Sequence, residues 1–383
     1  MKTAIVLDNK VNKWALQRFE PLKNDFDITV FVGERNDYDV SSIDLKKKHL
    51  SHKEEIALAI KEPLTAFKRN FSAPYKRMDY YYFSLKKHIK DFDIVYSYDL
   101  YRSAYTLASL KKEHGYKLVL AWWENIPFKL VFDDKSSFQK GLIMENVDLF
   151  LPFTQDAKDN LLMEGIPEEK VNVISPGVDI EKFSPGDRPR ALMEKNRIPE
   201  GSFVILYVGK LVSWKGVHNL VYAAKILKDR GIKDFIFAVA GKGAQKDNML
   251  KIIAESGTEG HFRFLDFIPY DRMPDIYRMA DALVLPSYPT MTWQEQFGMV
   301  LAEAMASGTP VISTLSGSIP EVLRDAAMLI PPGDFVMLAD NVIKLIETPD
   351  LREDLSSKAR ARAEKVFDAN RISGELLDVL TGI

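Results

Sequence analysis

Two stretches of the 383-residue chain combine charge and glycine at spacings that suit anions and hydroxyls. The first is Gly209-Lys-Leu-Val-Ser-Trp-Lys-Gly216, between an apolar run and an amphipathic one. Gly209 permits a tight turn, and Lys210 and Lys215 flank it. Two cations beside a helix N-terminus suit a diphosphate, because backbone N–H groups and the positive helix end add to the lysine charge. A solvated loop with surface lysines is the bland alternative. The second stretch runs from Pro286 to Pro310 and carries Glu295 and Glu303. A helix is expected to start near Gly298 and to stop at Gly308, the usual glycine after a helix end. At helical rise the two glutamates stand about 12 Å apart. That span is comparable to a sugar and a ribose joined through a diphosphate. Taken singly, Glu303 reads equally as a surface helix glutamate, and Glu295 as a charge favoured at a helix N-terminus.

Other chemistries are excluded by what the chain lacks. It has no cysteine, which removes disulfides, zinc–thiolate sites, iron–sulfur clusters and thiol nucleophiles, and which fits a reducing compartment. His49, His52, His88, His114, His218 and His261 form no ligand spacing with carboxylates, and His49 beside Lys46–Lys48 reads as solvated surface. Asp25-Phe-Asp27, Asp37-Tyr-Asp39 and Asp91-Phe-Asp93 read as loop carboxylates rather than a metal motif. Gly241-Lys-Gly243 lacks the third glycine and the later acid of a dinucleotide fingerprint, and there is no Walker A pattern. A net charge of −2 argues against nucleic-acid binding. No signal peptide is visible and no run reaches the roughly 20 apolar residues of a membrane span. The neutral total hides residues 61–90, where eight Lys/Arg face two acids, a net +6, with seven aromatics interleaved.

These residues must be positioned by strands and helices, and the chain is long enough for two cores. Apolar runs at 28–32, 94–97, 118–122 and 149–152 alternate with helical stretches such as 101–114 and 154–165, the latter capped by Thr154. The pattern pauses at Phe183-Ser-Pro-Gly-Asp-Arg-Pro-Arg190, then restarts with strands at 203–208, 235–240, 262–265, 282–285 and 310–313. The helices between them are expected at 217–229, 245–256, 273–280 and 298–306. Such alternation means α/β architecture, two doubly wound parallel sheets covered by helices, with ligands at the carboxyl ends of the strands and a cleft between domains. The expected domains are 1–185 and 186–366, with a helix over 367–383 crossing back to the first.

The chain resembles a retaining glycosyltransferase of the GT-B fold, glycosyltransferase family 4, the glycosyl transferases group 1. The resemblance rests on Glu295-Gln-Phe-Gly-Met-Val-Leu-Ala-Glu303, the Gly209–Gly216 turn, Val239-Ala-Gly-Lys-Gly243, Tyr277-Arg-Met-Ala-Asp281, Leu285-Pro-Ser287, Gly317-Ser-Ile-Pro-Glu321 and Val173–Asp179. It is specific over roughly 150–335 and diffuse before that. It implies two Rossmann-like domains, the first binding an acceptor and the second a nucleotide-diphosphate sugar. Lys210 and Lys215 are then expected to neutralise the departing diphosphate, Glu295 to hold donor-sugar hydroxyls, and Glu303 the ribose. Backbone groups at Phe297, Gly298 and Met299 would contact sugar or phosphate, beside Gly209, with the base near Asp266, Phe267 and Ile268.

The implied reaction needs no divalent metal or other cofactor. It is a front-face attack assisted by the departing phosphate oxygen, with no covalent nucleophile. The implied acceptor is a glycan or a lipid-linked acceptor, and the implied location is cytoplasmic, peripheral on the inner membrane face. Lys68, Arg69, Lys76 and Arg77 are the candidates for contact with an anionic membrane; a helical pair with core aromatics is the other reading of that segment. Two departures bear on the acceptor side. Where many relatives have Gly-Gly after the first strand, this chain has Asp8-Asn-Lys-Val-Asn-Lys13, leaving Asn9 and Lys10 as candidates. Where many have a histidine, it has Trp122-Trp-Glu-Asn-Ile-Pro127, leaving Glu124 and Asn125, or else a plain strand-end turn with core tryptophans. A sugar-nucleotide-binding subunit without catalysis, or a GT-B-fold epimerase, are the alternative functions.

Overall fold

The computed structural model describes residues 1–33, 36–50, 85–98, 103–129, 134–265 and 268–383. The chain divides into two compact units, Met1–Gly177 with Asn370–Ile383, and Val178–Ala369.

Among the described residues the first unit is built on six parallel strands: β1 (Lys2–Val6), β2 (Asp27–Gly33), β3 (Lys46–Leu50), β4 (Ile94–Ser97), β5 (Lys117–Trp122) and β6 (Leu149–Pro152), in the order β3-β2-β1-β4-β5-β6. Four-residue runs such as Ile94–Ser97 and Leu149–Pro152 are buried throughout, as strands covered on both faces must be. Helices Ser103–His114 and Asp134–Asn146 make the crossovers from β4 to β5 and from β5 to β6, and Gln155–Met163 follows β6. Thr154 caps the last of these by accepting a hydrogen bond from the Ala157 amide at 3.2 Å. The closing helix, Ala369–Thr381, also belongs here, and the Ser373 hydroxyl donates to the Arg18 carbonyl.

Lys46 and His49 are exposed, as expected for surface, and Lys46-Lys-Lys-His49 also forms most of β3, which pairs with β2 at the edge of the sheet formed by the described residues. Its backbone pairs on one side, and its charged side chains discourage further pairing on the other. Lys68, Arg69, Lys76 and Arg77 lie outside the described residues. From the same segment, Leu85 and Ile89 anchor a short helix in the core. No helix among the described residues is long and apolar enough to cross a membrane.

The second unit repeats the plan with β7 (Phe203–Val208), β8 (Phe235–Ala240), β9 (Phe262–Leu265), β10 (Ala282–Leu285), β11 (Val311–Thr314) and β12 (Met328–Ile330), ordered β12-β11-β10-β7-β8-β9. All pairings are parallel. In both sheets the order reverses once, between β1 and β4 in the first and between β7 and β10 in the second. Chain segments leaving the two strands of a reversal diverge to opposite faces, which opens a crevice at their carboxyl ends.

Candidate functional site

The two stretches singled out by their chemistry leave β7 and β10, the strands at the reversal of the second sheet. Their loops touch closely enough to demand glycine. Gly216 has φ +67° between the turn Ser213–Lys215 and the helix Val217–Asp229, and a Cβ there would lie 1.9 Å from the Pro286 carbonyl oxygen. Gly317, after β11, has φ +54°, and its Cβ would lie 2.1 Å from the Glu295 carbonyl oxygen. That carbonyl accepts the Ser318 amide at 2.9 Å. The loop bearing Glu295 is therefore held by backbone from β11 and faces backbone from β7.

Within that frame Lys215 and Glu295 meet. The Lys215 Nζ donates to Glu295 Oε2 at 2.6 Å, and the Ser287 hydroxyl donates to the same oxygen at 2.8 Å. The side chains are 18% and 7% exposed, so water screens this pair poorly. The Lys215 ammonium also stands 4.9 Å from the centroid of the Trp293 ring, and Trp293 lies 6.1 Å from Trp214. Ser287 is fully buried, and its carbonyl accepts the Thr314 hydroxyl. A lysine carries three N–H donors, so one directed at Glu295 leaves capacity for phosphate oxygens. Lys210 is exposed, and its carbonyl accepts the Tyr207 hydroxyl at 2.8 Å.

Glu295 is not on a helix. The helix runs Met299–Ala306, with Gly298 at its N-cap in the left-handed region (φ +81°). The helical rise thus does not set the Glu295–Glu303 spacing; the loop fold does. Phe297, just before the cap, is a core side chain packed edge-on against Phe367 at 5.5 Å. Only backbone is left to serve a ligand at that position.

Glu303 is not a surface glutamate either. It is 3% exposed, and the Tyr277 hydroxyl donates to its Oε2 at 2.6 Å. Burial pushes its carboxyl up to about 7, opposed by the Tyr277 and Tyr270 hydroxyls. Burial and the Glu303 charge raise Tyr277 in turn. Tyr270 follows Ile268 by two residues, so the loop expected near a base reaches Glu303 through its tyrosine. Ile268 itself borders a cavity of about 310 Å³ with Lys195 and Arg272. Asp266 and Phe267 lie outside the described residues.

The remaining candidates sit in the first unit. Asn9 and Lys10 belong to the turn Asp8–Lys10 after β1, and Asp8 takes φ +53° there. The chain thus adopts a left-handed backbone without glycine, which aspartate tolerates better than most residues. The Lys10 Nζ pairs with Asp37 at 3.1 Å. Glu124 and Asn125, after β5, are buried, and Glu124 accepts the Lys129 ammonium at 2.7 Å. The adjoining tryptophans differ: Trp122 is core, and Trp123 is half-buried.

Ser287, Tyr277 and Trp293 carry no role that their local sequence shows, although the first two lie inside motifs that carry the resemblance. Their partners are other site residues, and a short motif does not show which side chain its own members face.

Comparison with known proteins follows the same lines. A family model described as glycosyl transferases group 1 matches residues 190–362. A D-inositol 3-phosphate glycosyltransferase from Corynebacterium jeikeium is 31% identical over 299 residues, covering 70% of this chain and 69% of that protein. Its namesake from Nocardia farcinica is 30% identical over 246 residues, covering 62% of this chain and 53% of that protein. The chain thus spans about half the length of the Nocardia farcinica relative and of several others. Among solved structures, Anabaena HepE in complex with UDP and glucose superposes with a TM-score of 0.79, at 20% identity and over 100% of both chains. That likeness identifies the two doubly wound units as those of the GT-B fold. With the family model matched over residues 190–362 and a 31% identical relative covered over two thirds of its length, the chain belongs to the glycosyl transferases group 1 family.

Proposed function

We propose that the protein is a retaining glycosyltransferase that moves a sugar from a nucleotide-diphosphate sugar to a hydroxyl of a glycan or lipid-linked acceptor. The observation that carries this reading is the Lys215–Glu295–Ser287 cluster at the reversal between β7 and β10. It sets a fixed cation against a carboxylate in a poorly screened site. In the proposed reaction the anomeric carbon–oxygen bond to the diphosphate breaks. A bond from the anomeric carbon to the acceptor oxygen forms on the same face, and the acceptor proton passes to the departing phosphate oxygen. Negative charge grows on the leaving diphosphate, so Lys215 and Lys210 stabilise the transition state more than the bound substrate. This supplies the charge neutralisation that a divalent metal would otherwise provide. Glu295 accepts from donor-sugar hydroxyls, and Glu303 from the ribose. The N-terminus of the helix Met299–Ala306, with Gly298, faces phosphate or sugar with its unpaired amides. The base lies near Asp266, Phe267 and Ile268.

HepE, solved with UDP and glucose, supports UDP-glucose as the first donor to try. The inositol phosphate of the curated relatives is an acceptor to test beside glycans. The experiment is isothermal titration with UDP, GDP and ADP, followed by turnover of a nucleotide-sugar panel with acceptors. Binding of one nucleotide together with transfer supports the reading. Tight binding without turnover on any acceptor would favour a binding subunit instead.

A further inference from the structure

The loop over residues 286–298, between β10 and the helix Met299–Ala306, does more than carry Glu295: it brings an indole ring back over Lys215. We propose that Trp293 is a positioning residue of the reaction, whose ring face holds the Lys215 ammonium beside Glu295 and adds no negative charge of its own. This inference rests on the glycosyltransferase reading above and gives Trp293 no contact with substrate; it acts through Lys215.

Three observations carry it. The first is how the ring is placed. Within the loop a tight tip closes on itself: the Thr290 amide donates to the Trp293 carbonyl at 2.7 Å, and the Thr290 hydroxyl donates to the same carbonyl at 3.2 Å. The tip sends its two large apolar side chains different ways. Met291 is 97% exposed, whereas Trp293 is half-buried. The base of the tip is stitched to the turn Ser213–Lys215, because the Tyr288 amide donates to the Trp214 carbonyl at 3.0 Å and Gly216 lies against Pro286. Backbone contacts between the two loops therefore set where the Trp293 ring stands relative to Lys215. The Trp214 ring packs beside it, 6.1 Å away and tilted by 48°.

The second observation is distance. The Lys215 Nζ stands 4.9 Å from the Trp293 centroid, inside the roughly 6 Å over which an aromatic face attracts a cation, and tryptophan offers the best such face. The same nitrogen donates to Glu295 at 2.6 Å. A lysine ammonium ends a flexible four-carbon stem, so a partner on a second side restricts it more than Glu295 does alone. The third observation is charge. A second carboxylate would hold the ammonium as well, but it would repel a diphosphate. An aromatic face holds the cation through its quadrupole and leaves the positive charge to act on the leaving group. The half-buried ring also keeps water from a pair that is already poorly screened, where a fixed charge acts more strongly. Without the ring the ammonium is free to leave its place, and a misaimed cation lowers turnover more than donor binding.

The test uses the full chain and three variants: Trp293→Leu, which stays apolar but removes the ring, Trp293→Phe, which restores one, and Met291→Ser, which changes the same tip at a side chain already in solvent. The first readout needs no ligand. Lys215 is labelled with acetic anhydride and followed by peptide mass mapping, with the exposed Lys210 as internal reference. Acetylation of Lys215 should speed up severalfold in Trp293→Leu and stay near wild type in Trp293→Phe and Met291→Ser. The second readout is turnover of UDP-glucose, GDP-mannose and ADP-glucose with the acceptor panel, followed by release of the nucleoside diphosphate. In Trp293→Leu kcat should fall about tenfold, with a smaller change in KM for the nucleotide-sugar. It should recover in Trp293→Phe. In the Lys215→Ala background Trp293→Leu should cost little further, whereas a tryptophan that only fills space would cost the same factor in both backgrounds. Lys215 labelling unchanged by Trp293→Leu, or equal kcat losses in both backgrounds, overturns the positioning role. A wild-type protein that binds none of UDP, GDP and ADP overturns the donor reading instead, and the labelling then decides by itself whether Trp293 holds Lys215.

Discussion

Relative to Glu303→Gln, the wild-type protein should lose stability as pH rises from about 5 to about 8. The Glu303 carboxyl is raised from 4.5 to about 7, so between those values the folded state holds a proton that the unfolded chain has released. The unfolded state then binds fewer protons, and stability falls with rising pH across that window, levelling off above it. The full difference corresponds to about 3 kcal/mol. Somewhat under 1 kcal/mol of it is already present near pH 5, which leaves about 2.5 kcal/mol for the interval to pH 8. Gln fills the same space and still accepts from Tyr277, but it does not titrate. Urea unfolding of both proteins at several pH values, followed by the fluorescence of Trp214 and Trp293 in the second unit, measures the difference. A stability gap that stays the same at every pH would refute the reasoning. Under the proposed function, ribose hydroxyls donate to the ionised carboxylate. UDP affinity should then rise with pH toward about 7 in the wild type and lose that slope in Glu303→Gln.

Lys215→Ala should cut kcat far more than UDP affinity, and it strips a poorly solvated carboxylate of its counter-charge, at a stability loss of about 3 kcal/mol. In a cycle with Glu295→Ala the two losses should be coupled by about 1 kcal/mol or more, measured by denaturant unfolding; additive losses would remove the ion pair as an energetic unit. Gly216→Ala should cost more than about 2 kcal/mol and abolish nucleotide binding, because its Cβ collides with Pro286. Gly115→Ala, at a similar φ of +76° but in open space, should cost about 1 kcal/mol and leave UDP binding intact. Sedimentation with anionic vesicles should weaken when Lys68, Arg69, Lys76 and Arg77 become Ser; unchanged binding removes membrane contact by that segment.

Much of the strand plan was legible because it rests on local signals. Phe203–Val208 and Phe235–Ala240 are continuous apolar runs, and each is a fully buried strand with those bounds. Lys46–Leu50 carries no such signal, because an edge strand is held by backbone pairing and its side chains can stay charged. Helix ends were legible where a cap residue marks them, as at Thr154. The helix start near Gly298 was legible too, but what Glu295 meets was not, because its partners Lys215 and Ser287 lie on other loops. Gly298, in the left-handed region, separates Glu295 from the helix.

By itself the sequence determined the doubly wound class, the family and the identities of the charged residues, since periodicity and motif spacing are properties of neighbours along the chain. Tertiary structure alone decided what those residues meet. Lys215 and Glu295 are 80 residues apart and Tyr277 and Glu303 are 26 apart, so each pairing depends on strand order. Strand order also sealed Glu303 from water, which is why an ordinary-looking helix glutamate titrates near neutrality. In the same way it left Trp123 half-open while its neighbour Trp122 became core. Burial is a property of the whole packed sheet, and no stretch of residues carries it alone.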